Sequence, residues 1–332
     1  MRCVLVTGGT GFLGRHLVRA LRARGAQVRI LARPGAATRD ARARIAASGA
    51  EVVTGDLLDP ASVRAAVAGA STVFHLAGRL LEPGVPDRAY EQVHVEGTRN
   101  LLEACREQPY LEAVVHCSTT GVLGPTGSVP ASEAAPRRPS NVYERTKAEG
   151  EMLALDAADR HALPLSVARP ALVYGPGDRH LAAWFGAIRS GLYRIVGRGD
   201  NLLHPVYVGD VVEGLLRCGE RRGPRGRVFH LVGPRPLPIG EMAAAIARAL
   251  QRRLPRVHLP RAIAYATAAL LESLPGVAPA RLPLTRSRVA FMTESRAYCG
   301  ARTRAELGYV PRVDLGRGLA RTVAWYRREG LL

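Results

Sequence analysis

Cys3-Val4-Leu5-Val6-Thr7-Gly8-Gly9-Thr10-Gly11-Phe12-Leu13-Gly14 is the stretch that decides the architecture of this chain. An apolar run of strand length breaks into a glycine-rich turn. Phe12, Leu13, Leu17, Ala20 and Leu21 then recur at helical spacing. The turn satisfies G-x-G-x-x-G from Gly9 and G-x-x-G-x-x-G from Gly8. Small residues are needed there because the backbone turns sharply out of the strand and a pyrophosphate must approach the helix N-terminus closely. A glycine turn alone is commonplace. With a strand before it and an apolar-periodic helix after it, the expectation is a dinucleotide-binding turn.

Working outward, residues 28–31 and Glu51–Thr54 read as the next strands. Asp59-Pro60 reads as a helix start, a capping carboxylate followed by proline at the first helical position, leading into residues 63–68. Residues 72–76 and 113–118 are buried-strand candidates with a helix over 89–106 between them, and 165–168 and 228–231 are later strands. Strand–helix alternation at this rhythm implies right-handed crossovers, so the expected fold class is α/β: a doubly wound parallel sheet covered on both faces. Glycine- and proline-rich turns at 174–178, 197–199 and 223–226, a helix over 239–251 and a Pro- and Arg-studded region to about Arg286 mark a smaller C-terminal lobe. The expected division is 1–178 with 204–235 as the dinucleotide-binding domain, and 179–203 with 236–332 as the substrate-binding lobe.

The 332 residues are 47% hydrophobic and 23% charged, which excludes disorder, a fibre and a disulfide-stapled scaffold. The longest apolar run, 262–271, stops at Glu272, well short of the ~20 residues of a membrane span. The start runs straight into the glycine turn, so no secretory leader is expected there. Cys3, Cys105, Cys117, Cys218 and Cys299 form no C-x-x-C pair and read as reduced, mostly buried thiols, so the expected compartment is the cytoplasm. No metal site is expected. The net charge of +19 points at face value to nucleic acid or an anionic membrane surface. The basic residues are spread over nearly every segment and aromatics are few, which argues against nucleic acid as a partner.

Three further stretches carry chemistry. At the end of the second strand, where an acid would bind a ribose 2′-hydroxyl, stand Ala32 and Arg33. A guanidinium pairs with a 2′-phosphate, so NADP is the expected cofactor and NAD the alternative. Tyr143 and Lys147, four apart on a helix, share one face. An ammonium beside a phenol favours the phenolate and makes a general acid/base usable near neutral pH. Lys147 is the only lysine; with 10 tyrosines in 332 residues, a lysine placed at random falls four after one of them about 3% of the time. A chain that uses arginine everywhere else keeps here a compact ammonium, which is chemically different from a guanidinium. Cys117-Ser118-Thr119-Thr120-Gly121-Val122-Leu123-Gly124 closes a buried strand with hydroxyls able to donate to a substrate oxygen, although Ser and Thr in such places are commonly turn formers.

Together these residues resemble the extended short-chain dehydrogenase/reductase family of NAD(P)-dependent epimerases and dehydratases, over essentially the whole chain. Gly55-Asp56-Leu57-Leu58-Asp59, Phe74-His75-Leu76-Ala77-Gly78, the stretch from Arg169-Pro170 to Gly177-Asp178, His204-Pro205-Val206-Tyr207-Val208-Gly209-Asp210 and Glu306-Leu307-Gly308-Tyr309-Val310-Pro311 are similar to its other signatures. The resemblance implies a Rossmann fold and catalysis by Thr119 (Ser118 the runner-up), Tyr143 and Lys147. It implies cofactor contacts from Gly8, Thr10, Gly11, Phe12, Leu13, Gly14, Arg33, Asp56, Leu57, Leu76, Ala77, Gly78, Ser118, Pro170 and Val173, with Tyr143 and Lys147 again. A homodimer through sheet-flanking helices is also common in the family. The chain departs from the pattern at His94, where N-V-x-G-T has asparagine, and at Leu172, where nucleotide-sugar members carry another. Thr120-Gly121 stand in place of the Asp-Glu pair of 4,6-dehydratases. A histidine at 94 reads as a solvated helix residue or as a change in a proton relay. The other departures point to the 3β-hydroxysteroid dehydrogenase and dihydroflavonol reductase branch. Leu181, Trp184, Phe185, Ile188, Tyr265, Leu270 and Leu271 of the lobe would line an apolar pocket. The expected activity is hydride transfer between nicotinamide and a hydroxyl or carbonyl carbon of a small hydrophobic substrate. The alternatives are a nucleotide-sugar epimerase/dehydratase and a non-catalytic dinucleotide sensor.

Overall fold

A strand covered on both faces is apolar at successive positions, and its alternate side chains feed two separate cores. The computed structural model, which describes residues 3–33, 49–221, 223, 225–255, 257–274, 282 and 284–332, has this character in the inner strands of its central sheet, while the edge strand Glu51–Thr54 is largely exposed. Seven parallel strands form it: β1 (Cys3–Thr7), β2 (Gln27–Ala32), β3 (Glu51–Thr54), β4 (Ala70–His75), β5 (Ala113–Cys117), β6 (Leu165–Pro170) and β11 (Arg227–Leu231). Their spatial order is β11-β6-β5-β4-β1-β2-β3, all pairs parallel. Val4, Val6, Phe74, Val115 and Phe229 pack on one face against Leu17 and Leu21 of helix Phe12–Ala23 and Val211 and Leu215 of helix Val208–Glu220. Leu5, Val73, Val114 and Val167 pack on the other, against helices Pro60–Val67, Gly97–Arg106 and Val142–Arg160. This is the doubly wound Rossmann arrangement.

The helix expected over 89–106 is three pieces: Asp87–Glu91, a π-turn Gln92–Glu96 and Gly97–Arg106. The wide turn is centred on His94, whose ring is held by hydrogen bonds on both nitrogens. Of the cysteines expected to be mostly buried, Cys105 and Cys218 are; Cys3, Cys117 and Cys299 are half-buried, and all five are free thiols.

The C-terminal elements add short pairs: β7 (Leu172–Tyr174) with β10 (Pro205–Tyr207), β8 (Ile195–Val196) with β13 (His258–Leu259), and β9 (Leu202–Leu203) with β12 (Leu237–Pro238). Phe185, Ile188, Met242, Ile246, Val323 and Tyr326 form their core, with the Phe185 and Tyr326 rings edge-on at 5.0 Å. Of the expected lobe, residues 256, 275–281 and 283 lie outside the described residues.

Candidate active site

The sheet reverses its winding between β1 and β4, and the carboxyl ends of such neighbours open a crevice. The glycine turn lies there, pressed against the residues after β4. Gly8 has a positive φ of 70°, and a Cβ on it would come within 2.6 Å of the Ala77 nitrogen. A Cβ on Gly14 would lie 2.1 Å from the Gly8 carbonyl oxygen. No side chain caps helix Phe12–Ala23 at Gly11, so the amides of its first turn are available to an anion. This cradle fits a dinucleotide pyrophosphate, with Gly8 to Gly14 on one side and Leu76 to Gly78 on the other. Further along the sheet edge, the Gly55 amide donates to the Ala32 carbonyl at 3.0 Å, which sets the turn after β3 beside Arg33. Arg33 is exposed. Asp56 accepts from the Leu58 amide at 3.0 Å, and Leu57 beside it is buried. Thr10 and Val173 are half-buried; the Pro170 carbonyl accepts from the Thr120 hydroxyl at 3.3 Å.

At the end of β5, Thr119 caps a short 3-10 helix, Thr120–Leu123, by accepting from the Gly121 amide at 3.1 Å. Its hydroxyl lies close enough to Tyr143 to favour the ionised phenol. Tyr143 stands in the first turn of helix Val142–Arg160, which Asn141 caps by accepting from the Glu144 amide at 3.0 Å. One turn on, the buried Lys147 ammonium donates to the Cys117 carbonyl at 2.6 Å. Sequence reasoning expected Lys147 to draw the phenol toward neutral pH, but the ammonium is held by the strand end. Burial instead pushes the Tyr143 phenol above its ordinary value, Thr119 pulls it back, and Cys117 and Glu144 add to the rise. Burial lowers Lys147 as well. Ser118, the other candidate hydroxyl, is spoken for: it donates to the buried Glu151 carboxylate at 2.7 Å.

His94, read in one alternative as a solvated helix residue, is buried instead. The Arg79 amide donates to Nε2 at 3.0 Å, so the proton sits on Nδ1 and donates to the Thr146 hydroxyl at 2.8 Å. Burial first and the Lys147 charge second lower its pKa to about 2, so the ring is neutral. Its ring meets the Tyr143 ring edge-on at 5.7 Å. The His94 carbonyl accepts from Thr98 at 2.7 Å, and His75 links Thr98 to Thr7 at 2.9 and 2.7 Å. Helix Val142–Arg160 lies so close to this turn that a Cβ on Gly150 would stand 2.3 Å from the His94 oxygen.

Residues 4–231 match the family model described as the NAD dependent epimerase/dehydratase family. The chain belongs to this family. Over 320 residues it is 33% identical to a 4-hydroxy-2-methyl-3-oxo-4-farnesyl-3,4-dihydroquinoline-1-oxide ketoreductase of Stigmatella aurantiaca, covering 95% of this chain and 93% of that protein. It is 30% identical to 3beta-hydroxysteroid-dehydrogenase/decarboxylase isoform 1 of Arabidopsis thaliana, covering 97% of this chain and 79% of that one. The crystal structure of gox2253 superposes with a TM-score of 0.82 at 30% identity, covering 100% of both chains. The family and these relatives establish an enzyme of the NAD-dependent dehydrogenase and epimerase type, in the extended short-chain dehydrogenase/reductase family. Among the described residues no helix is long and apolar enough to cross a membrane.

The apolar pocket expected of this family member is not lined as the sequence suggested. Phe185 and Ile188 are buried in a core cluster with Tyr174, Met242, Ile246 and Tyr326, and Leu181 and Trp184 pack onto it. Tyr265 and Leu270 face outward. Large side chains found one another first, as burial rewards area irrespective of function. What the C-terminal residues do bring to the neighbourhood of Tyr143 went unread. Arg296 donates to Glu144 at 2.6 Å, next to Tyr143, and residues 295–299 pair with 126–131 through backbone bonds. Also unread was Glu151, fully buried and gripped by Arg169 at 2.6 and 2.8 Å, by Arg137 and by Ser118. The signal was available: 143, 147 and 151 fall on one helical stripe.

Proposed function

We propose that the protein is an NADP-preferring oxidoreductase that moves a hydride between nicotinamide and the hydroxyl or carbonyl carbon of a small hydrophobic substrate. The observation that carries this reading is the grouping of Thr119, just past the end of β5, with Tyr143 and Lys147 on helix Val142–Arg160, where Lys147 reaches the Cys117 carbonyl at 2.6 Å. When bound, the nicotinamide supplies or takes up the hydride. Gly8 to Gly14 hold its pyrophosphate, Arg33 a 2′-phosphate, and Lys147 the nicotinamide ribose. Thr119 polarises the substrate oxygen, and Tyr143 gives or takes its proton. A phenol whose pKa is raised keeps its proton at neutral pH, the form needed to reduce a carbonyl. Oxidation of the alcohol needs the phenolate and gains as pH rises. The names of the farnesyl-quinoline ketoreductase and the steroid dehydrogenase support a bulky apolar substrate. The reading keeps the two-part division of the chain, a cytoplasmic location suited to five free thiols, and a homodimer through sheet-flanking helices.

The test is Tyr143→Phe assayed with NADPH against aryl ketones and 3-ketosteroids. Cofactor binding should survive and turnover fall by roughly 10²–10⁴. Full activity in this variant overturns the mechanism. Thermal stabilisation by UDP- or dTDP-sugars alone overturns the substrate class.

A further inference from the structure

We propose that the outer face of helix Arg261–Glu272 seats the protein on an anionic lipid bilayer. A surface helix ordinarily turns its large apolar side chains inward and its charges outward. This one turns large apolar side chains outward. Its inner face is Ala264 and Ala268, fully buried against Val196 and Val289. Its large residues point out: Ile263 is 53% exposed, Leu270 68% and, just past the end, Leu274 46%. These three lie on one stripe, at i, i+7 and i+11. No charged residue occurs from 262 to 271. Leu192 and Val257, at the starts of the paired strands β8 and β13, add exposed apolar surface. An apolar patch of this kind on a protein surface marks an interaction site.

Charge decides the occupant. Residues 242–293 contain eight arginines and one acid, Glu272, a far steeper imbalance than the chain as a whole. Arg286 pairs with Glu272 at 2.6 Å, and the exposed Arg252 and Arg253 stand in the segment leading to the helix. An apolar stripe in so basic a stretch of chain fits the interfacial region of a membrane with negative headgroups, lying in its plane. A second copy of this chain would bring the same basic stretch against itself and be repelled. The inference is independent of the catalytic reading, since none of these residues belongs to the catalytic loop or the glycine turn.

The experiment is co-sedimentation of the full chain with vesicles of phosphatidylcholine alone and of phosphatidylcholine mixed with phosphatidylglycerol. Binding should require phosphatidylglycerol and weaken with added salt. Leu270→Asp should lower vesicle affinity about tenfold or more, the loss expected for one inserted leucine. Arg252→Ala with Arg253→Ala should lower it about thirtyfold, as for two basic residues at a charged surface. Circular dichroism and NADPH affinity of each variant should match the parent. Three results overturn the proposal: no pelleting with anionic vesicles, variants that bind like the parent, and a concentration-dependent dimer in sedimentation velocity that Leu270→Asp abolishes.

Discussion

Replacing Glu151 by Gln removes one charge from the interior and leaves its partner behind. Arg169 is 2% exposed at its side chain and Glu151 0%, and their two hydrogen bonds measure 2.6 and 2.8 Å. Removing one partner of such a pair costs about 3–5 kcal/mol, because the remaining ion stays desolvated without its counter-charge. Arg137, at 31% exposure, adds only the ~0–1 kcal/mol of a surface pair. Glutamine keeps one acceptor for Arg169 or Ser118, so the expected loss is at the lower end, about 3 kcal/mol. Urea unfolding followed by tryptophan fluorescence and circular dichroism measures it. The pH dependence supplies a second reading. Burial raises the Glu151 carboxyl, but the hydrogen bonds and charge of Arg169, then Ser118 and Arg137, outweigh it and hold the group below its ordinary value. A carboxyl lowered by folding contributes stability above its unfolded pKa of ~4.3 and loses it as pH falls through the folded value. The parent should therefore lose stability below about pH 4 more steeply than the variant. Glu151→Met combined with Arg169→Met should recover much of the loss, since an apolar pair needs no counter-charge. A single-variant loss below about 1 kcal/mol, the value of an exposed pair, would refute the reasoning.

Two shorter expectations bear on the cofactor. Gly14→Ala places a methyl 2.1 Å from the Gly8 carbonyl oxygen, a backbone atom that cannot step aside, so NADPH affinity by fluorescence titration should fall roughly tenfold or more. Unchanged affinity would separate this cradle from the cofactor. Arg33→Ala should erase a preference for NADPH over NADH of about ten- to a hundredfold, the worth of a charge-assisted hydrogen bond, and that preference should shrink with salt in the parent. Equal affinity of the parent for both cofactors would make Arg33 a bystander.

The sequence by itself determined the sheet and the crevice. Short continuous apolar runs in the strands, and the glycines that only a backbone-to-backbone approach explains, are local patterns that any folded form of this chain must honour. Tyr143 and Lys147 were legible for the same reason, as their spacing is set within one helix. The tertiary structure alone decided which hydroxyl is available, because Ser118 is taken by Glu151 from another element and Thr119 is not. It alone decided that burial pushes the Tyr143 phenol up, and that burial with the nearby Lys147 charge pulls the His94 imidazole down. The lobe was the least legible part. Apolar residues there serve a core, a cleft or an outer surface with the same composition, and only the packing of Phe185 and Ile188 inward and Leu270 outward tells these apart.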